Sequence, residues 1–461
     1  MRIFLGPTEI AGFYAALQRG LEEEGIDTIF ADFSGNPLNY ENRERSLSVR
    51  AVRAIETASR DVRPERRFRR ALSRRLSSPA RHLLFFWLAV RCDVFVYSYG
   101  GSITYRPEWE YRFLRRIGRR LIFNFHGNDS RAPYLGHPGL LGPNATNFAE
   151  CARLTAEIKT NLVLVRQYAH IIVDTPFTAQ LQFGRCVNAQ ILGNPCPQPP
   201  EYVAAPRTID APIRILHSPS DPALKGSDVI RAAIAEVKSR GRNVEFIELT
   251  GRPNAEVVQE LTRCDFVVDQ AYSDVPMAVF ATEAAAYGKP AVVGGYITRS
   301  QMAASVAPEW LPPTLYCHPN EMVEVIDRLC VDEQFRVEQG EKAGAFVREV
   351  RNRRELARRL LRIVRDDIPT DWWFDAQDVE YVQGLGEENH VRRLIRGVVE
   401  HGGVRALQLD DNPGVRVLML AFAGIDITPI DSGQRPSPNS TGVATPASAN
   451  QINVTHSAPA G

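Results

Sequence analysis

The stretch DQAYSDVPMAVFATEAAAYGKPAVVGG, residues 269–295, decides the reading of this chain. An apolar run from Asp265 leads into it, an Ala-rich segment follows, Gly288-Lys289-Pro290 stops that segment, and a second apolar run starts at Pro290. Run, helix and run make a βαβ unit, and continuous rather than alternating apolar runs mean strands covered on both faces. Pro276 suits the first turn of the helix, which would leave the backbone N–H groups near Met277 and Ala278 free for an anion. Glu283 lies inside the same helix where it opens on the strand ends, and a carboxylate there can accept hydrogen bonds from a ribose diol. The neighbours in FATEAAA make an ordinary surface glutamate the weaker reading.

The alternation extends outward in both directions. In the first half the runs are RIFL (from Arg2), TIFADF (Thr28), DVFVY (Asp93), RLIFNF (Arg120) and HIIVD (His170). In the second they are IRILHS (Ile213), VEFIEL (Val244), DFVVD (Asp265), PAVVGG (Pro290) and TLYCH (Thr314). The pattern predicts an α/β chain with two Rossmann-like, doubly wound parallel-sheet domains facing a central cleft. The boundaries are an N-terminal domain at 1–192, a Pro-rich linker at 193–212 and a C-terminal domain at 213–345. A basic helix at 346–370 would cross back, followed by a helical appendage at 371–428. The Ser, Thr, Pro and Gly composition of 429–461 predicts a disordered tail. Glu341 to Arg365 reads as one continuous helix.

A chain of 461 residues, 44% apolar and 24% charged, exceeds a single core and has the material for two. A formal net charge of +1 leaves no global footprint for nucleic acid. Seven scattered cysteines without a C-x-x-C pair point to reduced thiols and a cytoplasmic setting. The longest apolar stretch, Leu83 to Val90, is far short of the roughly 20 residues that span a bilayer.

Open parallel sheets bind ligands at the carboxyl ends of their strands. After the first strand, GPTEIAG places Gly6 and Gly12 around a loop that enters a helix. Small residues there let backbone approach a ligand, although an ordinary strand-to-helix turn is an equal reading and neither G-x-G-x-x-G nor a P-loop is present. After the fourth strand, FHGNDSR concentrates His126, Asn128, Asp129 and Arg131. In HSPSDPALKGSDVI, Lys225 and Gly226 immediately precede a helix, so an ammonium joins free N–H groups and a helix dipole.

These segments together resemble the retaining glycosyltransferases of family 4, which have the two-Rossmann-domain (GT-B) fold. GPTEIAG, FHGNDSR, HSPSDPALKGSD and DQAYSDVPMAVFATEAAAYGKP stand in the family's order, and the resemblance covers roughly residues 1–365. It implies a UDP- or GDP-type nucleotide sugar as co-substrate, with no resident cofactor and no metal. By resemblance His126, Lys225 and Glu283 carry catalysis. Gly12, Ser218, Lys225, Gly226, Asp274, Met277, Ala278 and Glu283 hold the donor, while Gly6, Asn128, Asp129 and Arg131 face the acceptor. The sequence departs from the family at Val275, eight positions before Glu283, where members often carry a second Glu; Asp274 is its acidic neighbour.

The implied reaction moves a sugar, with retention, to a saccharide or lipid-linked acceptor in cell-envelope or exopolysaccharide synthesis. The alternative is a non-catalytic nucleotide-sugar-binding or scaffold protein with a degenerate donor loop. Residues 63–75, with seven Arg and one Glu and followed closely by the apolar, aromatic HLLFFWLAV, together with RFLRRIGRR from Arg112, suggest a surface for an anionic membrane, at the inner face of the cytoplasmic membrane. A solvated Arg-rich helix is an equal reading of that charge run.

Overall fold

The computed structural model describes residues 1–33, 46–60, 67–98, 101–137, 147–196 and 211–426, the side chains of 60–74 excepted. Most of the expected linker, most side chains of the Arg-rich run 63–75, and the tail 429–461 lie outside the described residues.

The first half runs β1 (Arg2–Gly6), α1 (Phe13–Glu23), β2 (Asp27–Phe30), α2 (Leu47–Arg60), α3 (Arg67–Arg91), β3 (Val94–Ser98), α4 (Pro107–Arg116), β4 (Arg120–Asn124), α5 (Phe148–Tyr168), β5 (Ile171–Asp174) and β6 (Arg185–Asn188). The second runs β7 (Ile213–His217), α6 (Pro222–Lys225), α7 (Ser227–Ser239), β8 (Val244–Glu248), α8 (Asn254–Leu261), β9 (Phe266–Gln270), α9 (Val279–Ala286), β10 (Ala291–Gly294), α10 (Arg299–Ser305), β11 (Leu315–Cys317), α11 (Met322–Val331) and α12 (Glu333–Glu349). The chain then continues through α13 (Arg353–Val364), β12 (Trp373–Asp375), α14 (Glu388–Gly402) and α15 (Pro413–Ala423).

The first sheet has the order β12-β6-β5-β4-β3-β1-β2 and the second β11-β10-β9-β7-β8. Every described pairing is parallel except β12 on β6. All ten expected strands form. Two more, RCVN at β6 and WFD at β12, were missed: the first is short and half polar, and the second pairs with residues almost two hundred positions away.

Both sheets are covered on both faces, as the continuous apolar runs require. Phe4, Phe95, Tyr97 and Phe123 pack with α2–α5 on one face of the first sheet, and Ile3, Leu5, Val96 and Ile122 pack with α1 and α13 on the other. In the second sheet Ile215, Phe266 and Val268 meet α7 and α11, while Leu216, Val267 and Val293 meet α9 and α12. Successive side chains of a strand point to opposite faces, so one run supplies both cores.

The basic helix expected over 341–365 is two helices. Asn352 accepts from the Glu355 N–H at 3.0 Å and caps α13, and buried Arg351 turns aside to donate to the Gln190 carbonyl at 2.6 Å. Helix α13 then lies on α1 at Gly20, where a Cβ would sit 2.1 Å from the Arg353 carbonyl oxygen. The segment read as an appendage is part of the first core: Leu394, Ile395, Val398, Leu407 and Met419 pack in one cluster with Phe123, Tyr134 and Leu162. Among the described residues no helix is long and apolar enough to cross a membrane.

Candidate active site

Strand order reverses between β1 and β3 in the first sheet and between β7 and β9 in the second. In doubly wound sheets a crevice opens at the carboxyl ends of the strands at such a switch point. The residues after β7 and β9 are therefore the first place to look for a ligand.

After β7 the chain turns through Asp221, whose carboxylate accepts from the N–H groups of Ala223 and Leu224, into the single turn α6. Lys225 ends that turn. Its Nζ lies 3.4 Å from Asp269 Oδ1 and also donates to Gln270 Oε1, so the ammonium is held at the end of β9. Gly226 joins α6 to α7 with φ of 66° and packs so closely that a Cβ would lie 2.7 Å from that of Ala271. No side chain caps the first turn of α7, which begins at Ser227, directly after Lys225 and Gly226. Beneath it, His217 is buried: its Nδ1 donates to the Val268 carbonyl at 2.8 Å, so Nε2 accepts from Ser227 Oγ at 2.8 Å. That pair anchors the start of α7 to the sheet. Ser218 donates to the Leu249 carbonyl at 3.1 Å.

The loop after β9 is pinned from three sides. Ser273 Oγ bonds both the N–H and the carbonyl of Val275, Tyr316 donates to the Ser273 carbonyl at 2.7 Å, and Thr314 donates to the Pro276 carbonyl at 2.7 Å. As a result α9 starts at Val279, three residues after Pro276, and Met277 and Ala278 belong to the loop. This corrects the expected helix start, and the uncapped first turn begins at Val279 instead. The Met277 carbonyl accepts from Asn194 Nδ2 at 3.2 Å. Glu283, in the middle of α9, accepts from Asn254 Nδ2 at 3.2 Å. Burial, aided by the charge of Asp269, pushes its carboxyl up to about 7 despite that hydrogen bond.

At the first sheet, His126 follows β4 with its Nε2 2.8 Å from the Tyr14 hydroxyl and 3.1 Å from Asn124 Nδ2. With the amide donating, Nε2 is an acceptor and the ring proton is on Nδ1. Burial pushes the imidazole down to about 4, so it is neutral in the physiological range. Asp129 Oδ1 accepts from the His126 N–H at 2.8 Å and fixes the turn. Its Oδ2 is buried without a hydrogen-bond partner, and burial together with Asp174 pushes the carboxyl up to about 7.

Two results differ from the sequence reading. The N-terminus of α1, where Gly12 was expected to bring backbone to phosphates, already holds a carboxyl group, one whose pKa burial raises above the usual range. Glu9 accepts from the N–H groups of Ile10, Tyr14 and Ala15 at 2.7, 3.2 and 2.9 Å. Gly12 serves as the left-handed N-cap (φ 81°), and Gly6 (φ 140°) lets the chain pass the Ala31 carbonyl, 2.3 Å from where a Cβ would lie. Second, Asp274 and Arg131 are committed to each other. Arg131 Nε and Nη2 reach Asp274 Oδ2 at 2.6 and 2.5 Å, and Nη1 reaches Asn128 Oδ1 at 2.5 Å. Arg131 and Asp274 are both buried, with burial raising the Asp274 carboxyl and Arg131 drawing it back. This pair joins the ends of β4 and β9, one from each sheet.

No family model matches the sequence, and no curated protein matches it. Solved structures that it resembles include a sucrose-phosphate synthase from Thermosynechococcus elongatus, at 15% identity and a TM-score of 0.44 over 79% of this chain and 98% of that one. Another is HepE of Anabaena in complex with UDP, at 11% identity and 0.44 over 79% and 99%. A third is the lipopolysaccharide outer core galactosyltransferase WaaB, at 11% identity and 0.42 over 80% and 100%.

The crevice at β7 and β9 thus gathers Lys225, the uncapped start of α7, and Asp269, whose charge reaches Glu283. Asp269 and Gln270 were missed as site residues. Asp269 Oδ2 is buried with no hydrogen-bond partner, an acceptor left open at the switch point. Their position as the last residues of a strand next to the order reversal is the signal that points to them. A cation and a helix terminus beside hydroxyl acceptors suit an anion with a polyol attached.

Proposed function

We propose that the chain is a glycosyltransferase that takes a UDP- or GDP-type nucleotide sugar and moves the sugar, with retention, to a saccharide or lipid-linked acceptor. The reading rests on the crevice where Lys225 and the α7 N-terminus border the acceptors Asp269 and Glu283. The second half, 213–345, binds the donor and the first, 1–192, receives the acceptor. The diphosphate lies along Lys225 and the starts of α7 and α9, and the ribose diol donates to Glu283. As the bond from C1 to the phosphate oxygen breaks, its electron pair stays on the diphosphate, where the ammonium and helix dipoles stabilise it. The acceptor hydroxyl bonds to C1 from the same face and its proton passes to the departing phosphate oxygen. Neutral His126, carrying its proton on Nδ1, is a hydrogen-bond donor for the transferred sugar. The work belongs to cell-envelope or exopolysaccharide synthesis at the inner face of the cytoplasmic membrane.

Thermal melting against UDP, GDP, ADP, CMP and their sugars tests the assignment. A ligand at a hundredfold excess over its Kd stabilises by about 2.7 kcal/mol. One nucleotide class should shift the wild type and leave Lys225→Ala and Glu283→Ala unmoved. Undiminished sugar transfer by both variants would sink the reading. Val275 at the family's second Glu position, with Asp274 taken by Arg131, favours a second reading: a nucleotide-sugar-binding scaffold. Affinity without transfer and without donor hydrolysis would decide for it.

A further inference from the structure

Along α3, Leu76, Pro79, Leu83, Phe86 and Val90 recur at spacings of three and four and all face solvent, Leu83 at 72% and Val90 at 78% exposure. Such a stripe normally faces a core. Here the core takes the other side of the helix, with Leu84, Phe85 and Leu88 fully covered. The helix cannot roll to hide the stripe, because buried Arg81 on the core side donates to Glu56 Oε1 and to the Ile103 carbonyl, both at 3.0 Å. Its guanidinium also lies 4.2 Å over the rings of Phe33 and Tyr105. Helix α4 extends the patch: Trp109, 39% exposed, has its ring 5.8 Å from that of Phe86.

The exposed charge on the described side chains of α3 and α4 is predominantly positive. Arg75 and Arg91 on α3 and Arg112, Arg115 and Arg116 on α4 are all exposed, whereas the exposed acid among the described side chains of the two helices, Glu108, is paired with Arg112. A second copy of the chain would bring the same cations against them. An apolar stripe with aromatic members and arginine flanks is the composition of a helix that lies in the plane of an anionic lipid surface.

We propose that this α3–α4 face docks on an anionic bilayer, with Leu83, Phe86, Val90 and Trp109 entering the headgroup boundary and the arginines meeting lipid phosphates. This gives the membrane surface read from 63–75, HLLFFWLAV and the Arg112 cluster its apolar contact face on the C-terminal half of α3, the side chains of 60–74 lying outside the described residues. It deepens the location proposed above but not the chemistry, and vesicles without any acceptor keep the two apart.

The test is flotation of the full chain with vesicles of phosphatidylcholine alone and of phosphatidylcholine with phosphatidylglycerol. The wild type should float with the anionic vesicles only. The triple variant Leu83→Ser, Phe86→Ser, Val90→Ser should partition at least ~10-fold less while keeping a cooperative melting transition, since Leu83 and Val90 face solvent. Phe86, whose ring also meets Phe85 and Phe113, accounts for any small drop in melting temperature, and Leu83→Ser with Val90→Ser alone should leave the melting temperature unchanged. Arg112→Ser with Arg116→Ser should weaken binding and flatten its salt dependence. Equal flotation of the triple variant, no flotation of the wild type, or conversion of a dimer to a monomer by the triple variant in light scattering would each overturn the proposal.

Discussion

Replacing Glu283 by Gln probes the site through pH. The carboxyl is raised from 4.5 to about 7 chiefly by burial, so between those values the folded chain holds a proton that the unfolded chain gives up. A raised pKa contributes stability that is complete below pH 4.5 and is lost as pH rises through about 7. At about 1.36 kcal/mol per unit the shift corresponds to about 3 kcal/mol, a ceiling that solvent at the edge of the group lowers. Urea midpoints at pH 5 and pH 8 should therefore differ more in the wild type than in Glu283→Gln. Asp129 and Asp174 are also raised and act with the same sign, so the difference between the two proteins is the reading.

Ligand affinity runs the other way. A ribose diol donates best to the ionised carboxylate, so a nucleotide sugar should bind more tightly as pH rises through about 7. A hydrogen bond to a charged group contributes about 1.5–3 kcal/mol, which favours the ionised form by ~10- to 100-fold. With a carboxyl titrating at about 7, that appears as a ~5- to 10-fold change in Kd between pH 6 and pH 8. Titration calorimetry at pH 6 and 8 measures it, and the nucleotide sugar's diphosphate does not itself titrate there. If Glu283→Gln binds as tightly as wild type at pH 8, the carboxyl does not touch the ligand and the donor site lies elsewhere.

Other consequences can be checked directly. Arg131→Met leaves Asp274 buried and unpaired and should cost about 3–5 kcal/mol in urea unfolding, with Asp274→Leu added to it recovering most of the loss. A single variant as stable as wild type would mean that the two strand ends do not close on each other in solution. Glu9→Ala strips acceptors from the first turn of α1 and should cost about 1–2 kcal/mol, with faster hydrogen exchange at Tyr14 and Ala15. Gly226→Ala forces a Cβ to within 2.7 Å of Ala271 and a left-handed φ on alanine, at about 1–3 kcal/mol. It should also weaken nucleotide binding by moving Lys225, and unchanged affinity in a melting assay would separate Lys225 from the ligand.

The ten strands were legible because a central strand covered on both faces must be apolar at nearly every position, and the partly buried edge strands β2, β8 and β11 keep enough of that pattern to be read beside them. The turn at Lys225 and Gly226 was legible for a similar local reason: a left-handed glycine ahead of a helix is set by neighbours a few positions away, although the single turn α6 that stands between β7 and this junction was not foreseen. What needed the tertiary structure were events between distant residues. Nothing near Arg131 in the chain announces that Asp274, 143 positions on, takes its guanidinium and with it an acid expected to serve a sugar. Glu9 looked like one loop residue among seven, and only the turn of the chain at Ala11 (φ 49°) and Gly12 folds its carboxylate back onto α1 in place of a phosphate. The break between α12 and α13, the added strand β12 and the burial of α14 and α15 in the first core depend likewise on partners far away in sequence. Apolar periodicity is a property of a segment, so the sequence by itself determined the segments. Which polar groups neutralise one another depends on which strand ends meet, and that was decided by the assembled sheets.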